Sequence, residues 1–316
     1  MNDPPPPPVT ANPRRAGRWL RCARQCAHGA AFWLKRAAGS KTPFIAGLVL
    51  NESCNLRCEG CRVARADRSE DAGREEVAEA LRSFRRSGIR NLAVTGGEPF
   101  HWRSDGWRVR DVVAEARRLG FLAVTVDTNG TLPFDDCGAD TVFVSPHGLE
   151  GLEGGGGAAW EACRRNLDAT RHGNVVLNYT VNSRNCGRLR EICAFARGHR
   201  AVRGVFFYFH TPYYGRDELF QPMEEKRRLA AEILSLKREG FPVFNSAAAL
   251  RAFARGGWKR PSDLCVVWEK GRLFRCCRSV GNDDACRECG YLGYLELERI
   301  LALRPSAVLA GTRYLG

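Results

Sequence analysis

No stretch of the 316-residue chain runs to about 18 consecutive apolar residues, which excludes a helix spanning a bilayer by hydrophobicity alone. The beginning, Met1-Asn2-Asp3 followed by Pro4 to Pro8, lacks the basic and then apolar segments of a secretory signal. A cytoplasmic location is therefore expected. There is no internal repeat of fixed period. Acidic residues are scarce, 35 against 49 Lys and Arg for a net charge of +14. Residues 1–43 contain eight of those basic residues and one acidic one, so this segment carries +7, half of the total. The remainder is only mildly basic, which argues against nucleic-acid binding by the whole chain. Hydrophobic residues at 44% and charged residues at 27% are ordinary for a globular protein. The length rules out a stapled mini-protein and suffices for one α/β barrel of about 250 residues or two modest domains.

After the proline run, residues 14–37 read as a basic amphipathic helix. Arg14, Arg18, Arg21, Arg24, His28 and Lys35 recur at helical spacing, with Trp19, Leu20, Ala23, Cys26, Ala27, Ala30 and Leu34 on the other side and Phe32 breaking the pattern. Such a helix either lies on an anionic membrane surface or an acidic partner, or covers one end of the next domain. From residue 44 onward β-rich runs at 44–50, 91–95, 121–127, 141–145, 175–180 and 202–209 alternate with helical stretches at 74–87, 109–119, 158–171, 185–197 and 222–239. A further helix is expected between the third and fourth strands, in the connection 133–139, which is short and carries Pro and Gly, and 154–157 is a glycine loop. Strand-then-helix units imply parallel strands with helices outside, as a doubly wound sheet or a full or partial barrel. Past residue 244 the alternation ends, and a cysteine-rich tail precedes a closing helix at 294–304.

Fourteen cysteines without an export signal point to metal ligation or redox chemistry rather than disulfides. Cys54, Cys58 and Cys61 form C-x3-C-x2-C directly after the first strand. Three thiolates on one loop can cap three corners of a four-iron, four-sulfur (4Fe–4S) cube and leave one iron open. The rivals are a zinc site, which wants a fourth ligand where no His lies nearby, and three chance thiols. The second strand ends in Thr95-Gly96-Gly97-Glu98-Pro99, whose glycines permit close approach of a ligand to the backbone and whose carboxylate can accept from an ammonium group.

Together these motifs resemble the radical S-adenosylmethionine (radical SAM) superfamily. The resemblance implies that Cys54, Cys58 and Cys61 hold a 4Fe–4S cluster whose open iron chelates SAM, and that Gly96, Gly97 and Glu98 contact the SAM amino group. It further implies SAM contacts for Thr128, Asn129 and Ser145, and an approach of Asn178 and Asn182 to the ribose, all at strand ends. Gly60 stands where many members carry an aromatic residue packing near the adenine; C-N-L-x-C-x-G-C is similar to a subset that includes hopanoid-lipid enzymes.

In the tail, Cys265, Gly271, Cys276, Cys277, Cys286 and Cys289 are similar in spacing to SPASM or twitch extensions, which bind auxiliary iron–sulfur clusters; structural zinc is the alternative. The remaining cysteines, 22, 26, 137, 163, 186 and 193, read as buried structural thiols. The implied fold is a partial (β/α)6 barrel (44–244) between a Pro-rich start with its basic helix (1–43) and a cysteine-rich extension (245–316). The implied activity is reductive cleavage of SAM to a 5′-deoxyadenosyl radical that abstracts hydrogen from a peptide, protein or lipid. Its partners would be SAM, that substrate, an electron donor such as flavodoxin or ferredoxin, and a membrane surface touching residues 14–37. Tyr208, Phe209, His210, Tyr213 and Tyr214 are candidates for a substrate pocket. The contrasting class is a non-catalytic zinc module with a basic nucleic-acid- or membrane-binding start; the Gly96-Gly97-Glu98 turn argues against it.

Overall fold

The computed structural model describes residues 13–61, 71–135, 137–146, 157–213, 215–256, 262–277 and 279–315, with backbone alone over 13–19. Its centre is one eight-stranded sheet in the order β6-β5-β4-β3-β2-β1-β7-β8. The strands are β1 (Ile45–Val49), β2 (Asn91–Thr95), β3 (Ala123–Thr128), β4 (Thr141–Val144), β5 (Val175–Val181), β6 (Val202–Phe209), β7 (Cys265–Glu269) and β8 (Arg272–Arg275). β1 to β7 are all parallel to their neighbours, and only the β7–β8 hairpin is antiparallel. Helices α2 (Arg74–Arg86), α3 (Val109–Arg118), α4 (Ala158–Ala169), α5 (Leu189–Gly198) and α6 (Met223–Arg238) supply the crossovers and the outer layer. This is the expected partial barrel, extended by two strands beyond β1.

The local causes are plain in the residues. In α2, Val77, Leu81 and Phe84 share the buried face, while Glu75 and Glu76 in the first turn and Arg85 and Arg86 in the last oppose the helix dipole favourably. In β3, Val124, Val126 and Thr128 are buried on one face, whereas Ala123, Thr125 and Asp127 on the other face are half-buried. That alternation leaves the concave side polar and accessible at the carboxyl ends of the strands.

The strand expectations hold within a few residues, but three others change. The 133–139 connection contains no helix among its described residues: Pro133 lacks an N–H, Gly138 sits at φ +70°, and Asp135 is engaged with Thr170 and the Arg171 N–H. The closing helix is two, α9 (Leu292–Leu301) and α10 (Pro305–Gly311), because Leu303 turns left-handed at φ +52° and Pro305 starts afresh. Beyond residue 244, α7 (Ala247–Arg255) begins at a Ser246 cap whose Oγ accepts the Ala249 N–H at 3.0 Å, and β7 then returns to pair with β1. The tail thus shares the barrel's sheet. A short helix, α8 (Asp283–Arg287), carries Cys286.

α1 (Pro13–Ala37) forms as expected, but its faces are used in the opposite sense from ordinary packing. Leu20 and Leu34 are 58% and 74% exposed, and Ala23, Cys26 and Ala30 are exposed beside them. Phe32, the residue that broke the pattern, is the buried anchor, edge-on to Phe44 and clustered with Leu264, Leu297 and Leu301. The basic side, Arg21, Arg24, His28 and Lys35, faces the N-terminal ends of the strands.

Candidate active site at the carboxyl ends of the strands

The loop leaving β1 is sewn to the turn leaving β2 by backbone and by one buried amide. Gly97 N–H donates to the Asn51 carbonyl (2.7 Å) and Glu98 N–H to the Ser53 carbonyl (3.0 Å). The Asn51 side-chain amide donates to the Ser53 carbonyl (2.8 Å), the Ser53 hydroxyl (3.0 Å) and the Glu98 carbonyl (2.9 Å). A Cβ on Gly96 would lie 2.1 Å from Asn51 Oδ1, and one on Gly97 would lie 2.3 Å from the Ser53 carbonyl oxygen. The two glycines are therefore required by the approach of the cysteine loop itself.

Glu98 is fully buried, and its carboxylate turns to the end of β3. Oε1 accepts from Thr128 Oγ1 (2.8 Å) and Phe100 N–H (3.0 Å), and Oε2 accepts from Asn129 N–H (2.7 Å). Burial pushes its carboxyl above the usual range, and these hydrogen bonds oppose that. In this arrangement Glu98 clamps β2 to β3 through both of its carboxylate oxygens. Gly96 and Gly97 are half-buried residues, and their carbonyls accept no hydrogen bond among the described residues.

Asn129 carries the clamp on to the cysteines. Its amide donates to Asn55 Oδ1 (2.9 Å) and reaches Cys54 Sγ at 3.8 Å, while Asn55 donates to Thr131 Oγ1 (2.7 Å). Leu56 N–H also points at Cys54 Sγ (3.4 Å). Burial is the largest influence on the Cys54 thiol and raises it; nearby Glu98 and Cys61 add to this, while Leu56 and Asn129 work against it. Cys54, Cys58 and Cys61 are all half-buried. Arg184 ties the same loop to β5 through Glu59 (2.8 Å) and Glu218. Asn51, Asn55, Thr131 and Arg184 are the positioning residues that motif reading passed over; Asn55 lay within the quoted pattern and was the available signal.

Ser145 and Asn178 come together on the concave face, with Asn178 Nδ2 at 3.4 Å from Ser145 Oγ and Asn178 Oδ1 buried with no partner. Asn182 does not join them. Its Oδ1 accepts the Arg184 N–H at 2.9 Å and its own N–H donates to Asn185, so it is spent on its own turn. Gly60 adopts φ +69°, and a Cβ there would meet His210 Cε1 at 2.8 Å and Leu219 at 3.0 Å. His210, whose Nε2 lies 3.0 Å from Asp217, occupies the space an aromatic side chain would need. Asp127, level with Phe143 of β4, is pushed up to about 7 by burial and by Glu98.

Cys265, Cys276 and Cys277 lie at the other end of the sheet, while Cys286 and Cys289 sit on a turn at the carboxyl end of β6. Cys265 pairs with Ile45, so about 16 Å of β1 separates its level from the departure of the Cys54 loop. Cys276 N–H donates to the Cys265 carbonyl (2.9 Å), and Cys276 sits left-handed at φ +68°. A hydrogen bond with Cys277 raises the Cys276 thiol most, followed by burial and the fields of Cys277, Cys265 and Cys289. Burial raises the Cys265 thiol. Cys286 belongs to the turn that places Cys289, whose N–H donates to its carbonyl at 3.3 Å. The turn docks on β6, where Phe209 N–H donates to the Gly290 carbonyl, and on α6, where buried Lys226 donates to the Glu288 carbonyl (2.6 Å). From the lumen, Tyr208 packs on Tyr291 (4.8 Å) and Tyr291 on Tyr294 (5.0 Å), whose hydroxyl donates to the Cys276 carbonyl at 2.5 Å. Phe209 stacks instead on Phe253, and Tyr214 lies outside the described residues, as does 154–156. Among the described residues no three His, Cys, Asp or Glu side chains converge on one point as they stand. Of the scattered thiols Cys137, Cys163 and Cys193 are buried as expected, whereas Cys22 and Cys186 are half-buried and Cys26 is exposed.

Residues 48–171 match the model of the radical SAM superfamily. The chain is 28% identical over 202 residues to a probable GTP 3′,8-cyclase of Archaeoglobus fulgidus, covering 57% of this chain and 65% of that protein. It is 38% identical over 86 residues to human molybdenum cofactor biosynthesis protein 1, covering 26% of this chain and 13% of that one. The chain thus spans less than two thirds of both relatives. In fold it is similar to SuiB of Streptococcus suis bound to S-adenosylmethionine (TM-score 0.59, 12% identity, 80% of this chain and 65% of that one). It is also similar to anSMEcpe with bound AdoMet and Cp18Cys peptide (TM-score 0.55, 12% identity, 79% of each chain). The match covers the cysteine loop and the turns after β2 and β3 to which it is bonded, so residues 48–171 of this chain are similar to the radical SAM superfamily.

Proposed function

We propose that the chain is a radical SAM enzyme, in which Cys54, Cys58 and Cys61 hold a 4Fe–4S cluster with SAM on its open iron. The cluster and SAM, when bound, supply the one-electron chemistry that yields a radical able to take hydrogen from a substrate. The observation that carries this reading is the bonding of the three-cysteine loop to the Gly-Gly-Glu and Thr-Asn-Gly turns beside an accessible polar lumen. The donors fit the group, being three soft, half-buried thiols on one loop with a neighbour, Asn129, aimed at one of them.

The chain's own residues position and shield. Asn51 and Glu98 fix the loop against β2 and β3, so that the thiols are held by backbone geometry. The Gly96 and Gly97 carbonyls are acceptors for the SAM ammonium, and the unpartnered Asn178 Oδ1 is an acceptor for a ribose hydroxyl. The substrate, a peptide, protein or lipid, then lies toward Asp127 and Tyr208. We assign four of Cys265, Cys276, Cys277, Cys286 and Cys289 to an auxiliary cluster of the SPASM or twitch type. An external donor such as flavodoxin or ferredoxin supplies the electron.

The test is iron content after anaerobic reconstitution with iron and sulfide. Two four-iron clusters predict about eight irons per chain, falling by about half in C54A/C58A/C61A and by about half in C265A/C276A/C277A. Full iron retention in the first triple variant would overturn the ligand assignment.

A further inference from the structure

At the end of the sheet opposite the cysteine loop, α1 and the segments entering the strands enclose a cavity of about 1140 Å³. Its walls carry Arg21, Arg24 and Lys35 from α1, and Arg85 and Arg90 from the end of α2 and the approach to β2. The carboxylate on those walls, Asp140, is already committed, to Arg117 at 2.5 Å and to the Val124 N–H at 2.8 Å. Arg36, also on the wall, pairs with Asp263. No acidic side chain among the described residues forms an ion pair with any of the five cations first named.

Five positive charges around one space repel each other unless something neutralises them. The strain is visible in their neighbours. Arg85 is held below its ordinary range by burial and by Arg90. His28, facing the same space, is pushed down to about 4 by burial first and then by Arg90, Arg85 and Lys35. His28 Nε2 and Arg36 Nη1 are buried with no partner. A helix serving only as a cap would bury its apolar side, yet here the cationic side faces the barrel and Leu20 and Leu34 face solvent.

We propose that this cavity is a binding site for a phosphate-bearing anion of about nucleotide or lipid-headgroup size. Phosphate carries about two negative charges and three acceptor oxygens, and guanidinium groups meet it with paired donors, so one or two such groups satisfy a cluster that single carboxylates would not. The space is several times what one phosphate needs, which leaves room for the moiety it is attached to. The source is either a soluble phosphate ester or the headgroup of an anionic lipid. In the second case the exposed Leu20, Ala23, Ala30 and Leu34 lie against the bilayer. The site stands at the N-terminal ends of the strands, so it does not depend on the chemistry proposed at their carboxyl ends.

The experiment uses the full chain, with sodium pyrophosphate titrated calorimetrically, and with sedimentation on phosphatidylcholine vesicles with and without phosphatidic acid. R24Q/K35Q removes two exposed cavity cations, and R251Q/R255Q on α7 removes the same charge elsewhere. Saturable pyrophosphate binding that weakens about tenfold in R24Q/K35Q and stays within about twofold in R251Q/R255Q supports a soluble phosphate ligand. Binding seen only with phosphatidic acid vesicles, with the same dependence on variant, supports the lipid headgroup. Absence of saturable binding to either probe overturns the proposal, as does equal weakening in both double variants, which is what unspecific attraction to a basic protein gives.

Discussion

A methyl group on Gly97 would intrude on two carbonyl oxygens of the cysteine loop, at 2.3 and 2.7 Å, and neither belongs to a flexible side chain. G97A should therefore cost about 3 kcal/mol, read as a fall of about 6 °C in the thermal midpoint of the apo chain. An unchanged midpoint would mean that the glycines serve a bound ligand only. Glu98 gives the complementary test. In E98Q one carboxylate oxygen becomes an NH2 group facing N–H or O–H donors from Asn129, Thr128 or Phe100, and the lost acceptor costs about 1–3 kcal/mol. If Glu98 instead acts as a free acceptor at the mouth, apo stability will not move and only SAM affinity will. These two residues were easy to find in the sequence, as was Asn129, but Asn51 and the bonds that join them were not, because the contacts run between loops 47 and 31 residues from Glu98.

At the scale of elements, the strands were legible because each is a short apolar run between turn residues, and the amphipathic helices because their buried stripes recur every three to four residues. What escaped is non-local. β7 pairs with β1 across some 220 residues, and nothing within Cys265-Val-Val-Trp-Glu distinguishes a sheet strand from the rest of a cysteine-rich tail. The orientation of α1 escaped too, since its periodicity specifies two faces without saying which meets the barrel. In α9, Glu296 is buried with Oε1 accepting the Ser246 N–H (2.7 Å) and Oε2 unpartnered. Burial pushes its carboxyl up to about 7. A raised folded-state value means the contribution is fully present below about 4.5 and is lost as pH rises through about 7. Between pH 5 and 8 the wild type should lose up to about 3 kcal/mol relative to E296Q, which keeps the acceptor and cannot ionise. Denaturant midpoints of the two proteins at both pH values check this; parallel pH dependence would contradict it.

At the scale of the whole molecule, chemistry and charge are segregated to opposite ends of one sheet. The three-cysteine loop and its clamps occupy the carboxyl ends of β1 to β3, as ligand sites do in β/α barrels, while the cationic cavity occupies the N-terminal ends. The tail joins the two, since β7 and β8 extend the sheet beside β1 while the Cys289 turn docks on the far edge at β6. The Tyr208–Tyr291–Tyr294 stack runs between lumen and tail thiols. Among the described residues no helix is long and apolar enough to cross a membrane. The central claim, that Cys54, Cys58 and Cys61 support radical chemistry on SAM, is tested most directly by 5′-deoxyadenosine formation. Anaerobically reconstituted chain with SAM and a strong reductant is compared with C54A/C58A/C61A. The account predicts 5′-deoxyadenosine from the wild type and none from the variant, whereas equal amounts from both, or none from a wild type shown to carry its full iron, would contradict it.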